Sequence, residues 1–130
     1  MISVKLIDKL KPEQIDQLSR LPVDYSDEVD IHVYLMNKIE KGEAHAYDIS
    51  DSTGQCILVI SVENFELNIL GAIGKSEKFN LTDVIFEISK TIAKQLGLKT
   101  ITFNTVRNGL IHEALKRNFK VAEVIMRHRL

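Results

Sequence analysis

Apolar and polar residues alternate at the start of the chain, with Ile2, Val4 and Leu6 on one side and Ser3 and Lys5 on the other. That pattern predicts a half-buried strand over Ile2–Ile7. Pro12 opens a short helix at the position where its missing N–H costs nothing. Ile15 and Leu18 give this helix an apolar side, and Pro22 stops it. A second helix starts at Ser26, a capping residue followed by Asp27 and Glu28, whose charge suits the positive helix end. Val29, Val33, Met36 and Ile39 recur along it at helical spacing. Lys38 and Lys41 favour its negative end, and Gly42 supplies a left-handed stop.

Two strands follow, Glu43–Ser50 and Gln55–Glu63, joined by the turn-type cluster Asp51-Ser52-Thr53-Gly54. Cys56 to Ile60 has no polar break, as expected of a central strand covered on both faces. Asn64 marks a tight turn into a third strand, Phe65–Ile73, in which Phe65, Leu67, Ile69, Gly71 and Ile73 alternate with Glu66 and Asn68. The strongest helical pattern comes next, through Leu81, Val84, Ile85, Ile88, Ile92 and Leu96. Asn80 is its expected N-cap, Asp83 takes the capping-box position, and Gly97 ends it. A strand over Lys99–Thr105, a short helix from Asn108 to near Asn118 and a closing strand over Val121–Arg129 complete the chain. The order β-α-α-β-β-β-α-β-α-β predicts an α/β domain: a mixed, mostly antiparallel sheet with one parallel pair and helices on both faces.

Composition narrows the function classes. A chain of 130 residues with 45% hydrophobic and 27% charged residues suits a single globular domain over 1–130. A net charge of −1 supplies no global attraction to nucleic acid or to an anionic membrane. The basic concentration is confined to Arg117, Lys120, Arg127, His128 and Arg129. No apolar run approaches the roughly 20 residues that cross a bilayer, and no signal-peptide core is present, so a cytoplasmic protein is expected. Cys56, the single cysteine, reads as a small buried hydrophobe in a reducing compartment. His32, His45, His112 and His128 are dispersed, without ligand spacing, so no metal is expected. His45 and Tyr47 alternate with Ala44 and Ala46, a packing pattern that could also line a substrate surface.

The last third carries a resemblance. A helix ending in Leu96-Gly97, a strand, a helix led by Asn108, then Asn118-Phe119 and a closing segment with Met126-Arg127 is similar to the end of acyl-CoA N-acyltransferase (GNAT) domains. The element order resembles that superfamily over the whole chain. More narrowly, it resembles the small GNAT-like proteins of bacteriophages, with a shortened turn before the fourth helix and a reduced cofactor loop.

The resemblance implies a site. Phe65–Ile73 would splay from Lys99–Thr105, and the pantetheine arm of acetyl-CoA would lie in the gap against the backbone of Leu70 and Ala72. The pyrophosphate would rest on N–H groups at the start of the next helix, with Gly74, Lys75 and Ser76 as contacts and Asn108 across the gap. The family pattern there, Gln/Arg-x-x-Gly-x-Gly/Ala, lacks its glycine pair in this chain. Asn80 competes for the same N–H groups, and Asp83 places a carboxylate where it repels an anion. The family tyrosine that protonates the leaving thiolate falls at Ala114, which cannot transfer a proton. His112 is the candidate substitute, against a surface histidine. Glu66, with Glu63 beside it, is the candidate base for an amine, against an ordinary solvated strand residue.

Two functions follow from the resemblance. One is a catalytically degenerate GNAT-fold module for binding or assembly, of the phage accessory or virion-associated kind, with a protein partner or a second copy of itself. The other is an acetyl-CoA-dependent N-acetyltransferase acting on an amine.

Overall fold

The computed structural model describes residues 2–21, 31–78, 80–104, 108–124, 126, 128 and 130. In chain order the elements are β1 (Ser3–Leu6), α1 (Pro12–Leu18), α2 (Ile31–Glu40), β2 (His45–Ser50) and β3 (Gln55–Glu63). They continue with β4 (Glu66–Lys75), α3 (Leu81–Gln95), β5 (Ile101–Phe103) and α4 (Asn108–Lys116). One sheet has the order β1-β2-β3-β4-β5. The first three pairings are antiparallel, and β4 pairs β5 in parallel, as the sequence predicts.

The unbroken apolar run places β3 at the centre of the sheet. Cys56, Leu58 and Ile60 face one side, where Ile85, Ile92 and Ala93 of α3 complete a core. Ile57 and Val59 face the other, against Leu18 of α1 and Leu35 of α2. These residues are all buried, so the strand has no solvent face. The two helical layers are thus held by the two faces of a single five-residue run.

Helix ends follow local chemistry. The Gln14 side chain accepts the Lys11 N–H at 2.8 Å, closing the start of α1. After α2, the Glu43 N–H donates to Lys38 O at 2.9 Å, and after α3 the Leu98 N–H donates to Ala93 O at 2.8 Å. The expected cap Ser26, with Asp27, Glu28 and Val29, lies outside the described residues, as do Pro22 and Thr105. Within α2 the buried side chain is Leu35, whereas Val33 is half exposed.

Four expectations are corrected. Phe65 is not a strand residue: it and Asn64 form a two-residue turn with φ of +62° and +53°, and β4 begins at Glu66. The alternation along β4 does not hold to its end. Register passes from Ile60↔Ile69 to Val59↔Gly71, so Leu70 is an extra residue, a β-bulge. Ile73 therefore joins Leu70 on the α1/α2 side, while Leu67, Ile69 and Ala72 face α3. β5 is confined to Ile101–Phe103. Finally, the closing strand over Val121–Arg129 is absent among the described residues, where Val121, Val124 and Met126 are exposed. Ile125, Arg127 and Arg129 lie outside them.

Candidate functional site

The parallel joint between β4 and β5 is short. Its register consists of Leu67↔Ile101, Asn68↔Thr102 and Ile69↔Phe103, and it stops where the bulge begins. β4 then runs on through Leu70 to Lys75, so its last six residues extend past the paired segment. The bulge lies immediately after the last residue of β4 that pairs with β5. Leu70 and Ala72 lie in this stretch of β4 beyond the β5 pairing.

At the end of the paired segment three phenylalanines meet. Phe86 of α3, Phe103 at the end of β5 and Phe119 after α4 have ring centroids 4.8–5.6 Å apart. Offset and tilted contacts of this kind add to simple burial, and they fix α4 to α3 and β5. Asn118, immediately before Phe119, has φ +66°. Asparagine tolerates this left-handed conformation better than other residues with a Cβ.

The loop between β4 and α3 is tied to the β2–β3 turn. The Asp51 carboxylate accepts the Thr53 N–H at 2.8 Å, the Gly54 N–H at 3.0 Å and the Ser76 hydroxyl at 2.8 Å. Thr53 Oγ1 accepts the Glu77 N–H at 3.2 Å, and Ser76 Oγ accepts the Lys78 N–H at 3.2 Å. Lys78 Nζ reaches Ser52 Oγ at 2.9 Å. Partial desolvation of Asp51 works to raise its pKa. The bonds from Thr53, Ser76 and Gly54 outweigh this and hold the carboxyl below its ordinary range.

The backbones touch at the same place. A Cβ on Gly54 would lie 2.0 Å from Lys75 O, and one on Gly74 would lie 2.2 Å from Gln55 O. Gly74 also has φ +143°. Both glycines are therefore required for the close approach of the hairpin to the loop. An acidic side chain introduced at Gly74 would meet β3 rather than enter the loop.

Asn80 caps α3 through a 3.2 Å bond from the Asp83 N–H. The Asp83 carboxylate is bonded to the Arg117 guanidinium, which also holds Glu113 Oε2 at 2.8 Å and lies 5.8 Å from the Phe86 ring centre. The repulsion expected from Asp83 toward an anion is thus offset by a cation contributed from beyond α4.

The remaining candidates are scattered. Glu66 starts β4 opposite Glu63, three residues before the paired segment ends, which is about 10 Å of strand. Asn108 is the first residue of α4, and Lys75 is exposed at the end of β4. Ala114 is buried, while His112, two residues away and about 200° round the helix, is exposed. Burial, with a smaller contribution from Asp48, pushes the Cys56 thiol up to about 11, away from nucleophile chemistry at neutral pH. Among the described residues, no three His, Cys, Asp or Glu side chains gather as a metal site. Nor is any helix among them long and apolar enough to cross a membrane.

The sequence marked Asp51 and Thr53 only as turn residues, yet they control the loop. An Asp two residues before a Thr in a turn signals local bonding. Its contact with a segment 25 residues away leaves no local pattern.

No protein-family model and no curated protein matches the chain. Its fold, however, is that of solved acetyltransferases. It superposes with a TM-score of 0.62 on a predicted acetyltransferase from Clostridium acetobutylicum solved with acetyl-CoA, at 9% identity over 99% of this chain and 96% of that one. With AAC(6')-Iy, solved in complex with the bisubstrate analogue CoA-S-monomethyl-acetylneamine, the TM-score is 0.57 at 10% identity over 100% and 98%. With a ribosomal-protein-alanine N-acetyltransferase from Brucella melitensis biovar Abortus it is 0.54 at 11% identity, again over 100% and 98%. At these identities the likeness establishes the GNAT fold and leaves function to the site.

Proposed function

We propose that this chain uses the acyltransferase scaffold as a binding or assembly module and does not carry out acyl transfer. One observation carries the reading: the loop between β4 and α3 spends its donors on the protein itself. The Ser76 hydroxyl, the Glu77 N–H and the Lys78 N–H are bonded within the loop and to the β2–β3 turn, and the Asp83 N–H is bonded to Asn80. A pyrophosphate held at a helix start depends on free N–H groups of this kind. Here it would have to displace a carboxylate, two hydroxyls and the Asn80 amide oxygen already in place. Ala114, buried where the family acid would stand, supports the same conclusion. On this reading the ligand of the domain is a protein or a second copy of the chain. Its setting is that of a phage accessory or virion-associated protein, in the cytoplasm or in the particle.

The end of the β4–β5 pairing at Ile69↔Phe103, with β4 running on alone to Lys75, favours a second reading, an acetyl-CoA-dependent N-acetyltransferase acting on an amine. Leu70 and Ala72 would then offer backbone groups to the cofactor, with Gly74, Lys75, Ser76 and Asn108 nearby. Glu66, about 10 Å short of that end, would take the proton of the amine through a water. His112 would return one to the thiolate after movement of α4.

Isothermal titration with acetyl-CoA and with CoA separates the two. Silence up to millimolar ligand is expected of the module. Saturable micromolar binding, followed by thiol release with an amine, would establish the enzyme and overturn the first reading.

A further inference from the structure

Strand β1 lies at the edge of the sheet: among the described residues it pairs β2 on one side and nothing on the other. The phase of that pairing fixes which backbone groups stay free. In an antiparallel ladder, opposed residues alternate between pairs that exchange both hydrogen bonds and pairs that exchange none. The Ile7 N–H donates to Ala46 O at 2.8 Å, and Lys5↔Asp48 and Ser3↔Ser50 fall in the same phase. The N–H and C=O groups of Val4 and Leu6 therefore point away from the sheet. Their side chains stand opposite Ile49 and Tyr47 and are 43% and 53% exposed. Free backbone and bare apolar surface thus belong to the same residues, an arrangement that an incoming strand can use on both counts.

Charge selects what such an edge accepts. Lys5 lies between Val4 and Leu6, on the opposite face, and is exposed. Its neighbour across the ladder, Asp48, is half-buried and takes a hydrogen bond from Gln14 at 3.3 Å. Lys9 and Lys11 follow, both exposed, and Asp8 is the one acidic residue between positions 2 and 11. Two copies of β1 paired antiparallel about Val4, Lys5 or Leu6 would set Lys5 opposite Ser3, Lys5 or Ile7 of the second copy. The two Lys5 side chains then share a face, directly or diagonally adjacent, and like charges so placed are destabilising. The edge thus works against its own copy and favours a segment with a carboxylate at that position.

We propose that the outer edge of β1 takes up an extended segment of another protein as an added strand, with apolar side chains beside Val4 and Leu6 and acidic ones beside Lys5. The inference rests on the module reading for the ligand being a protein, and adds its place, its backbone mode and its charge.

The probe is a short capped peptide alternating Glu with Val, with a Lys–Val peptide as control, titrated into the isotope-labelled chain and followed by NMR. The Glu peptide should shift the amides of Val4 and Leu6 saturably and leave those of α3 in place. The Lys peptide should bind several-fold more weakly. Lys5→Glu, at an exposed position, should reverse that preference. N-methylation of the valines, whose N–H groups would face β1, should abolish binding. Absence of saturable shifts at Val4 and Leu6 overturns the proposal. So does equal binding of the two peptides, binding that survives N-methylation, or a preference unchanged by Lys5→Glu. A silent peptide removes the edge and leaves the loop argument standing, whereas saturable CoA binding removes the module reading whatever the peptide does.

Discussion

Gly74 sits where two backbones approach too closely for a side chain, and this makes it the most sensitive single position. Gly74→Ala would place a methyl group 2.2 Å from Gln55 O and 2.4 Å from Cys56 Cα at a positive φ. A loss of at least about 2 kcal/mol is expected, measured as the urea unfolding midpoint against the native chain. A variant of unchanged midpoint would show that β3 can give way there. The sequence placed Gly74 at the end of a strand and gave it a phosphate contact through family likeness. Its packing role was not legible, because the partner backbone is that of Gln55 and Cys56, nearly 20 residues earlier. Cys56 illustrates the opposite case: its place in an unbroken apolar run was enough to read it as buried, and it is.

At the level of elements, the β2–β3 turn acts as a brace for the loop that leads into α3, and Asp51 is its centre. Because its bonds hold the Asp51 carboxyl below the ordinary range, the brace is fully present above the unfolded value of about 3.9 and is lost as pH falls through the lower folded value. Asp51→Asn should therefore lower stability at neutral pH, and the difference from the native chain should shrink as pH is taken below the ordinary carboxylate range. Urea midpoints collected from neutral to acid pH would report it; a constant difference throughout would sink the idea. Helices were the most legible elements. The cap at Asn80, the spacing of Ile85 and Ile92 and the stop at Gly97 all appear in α3. Strand β4 was legible only to Ile69, because an inserted residue reverses the alternation without changing the apolar character of Leu70, Gly71 or Ile73. The apolar content of Val121–Arg129 suggested a strand, but among its described residues none pairs with the sheet and Val121, Val124 and Met126 are exposed, so strand propensity alone did not decide pairing.

Across the whole molecule, the parallel pairing of β4 with β5 was readable from a long amphipathic helix lying between two apolar strands, since such a crossover returns the chain in the same direction. The wiring of the loop was not, because it depends on contacts between segments about 25 residues apart. The same joint has a mechanical consequence. β3 and β4 share nine register positions, whereas β4 and β5 share three. Opening that short seam releases β5 and α4 together while the antiparallel meander and α3 stay intact, so the segment from β5 onward should behave as a separate cooperative unit. In native-state hydrogen exchange, the amides of Ile101–Phe103 should become labile at lower denaturant than those of Ile57–Val59. Such subglobal release would let one end of the protein breathe without the other coming apart.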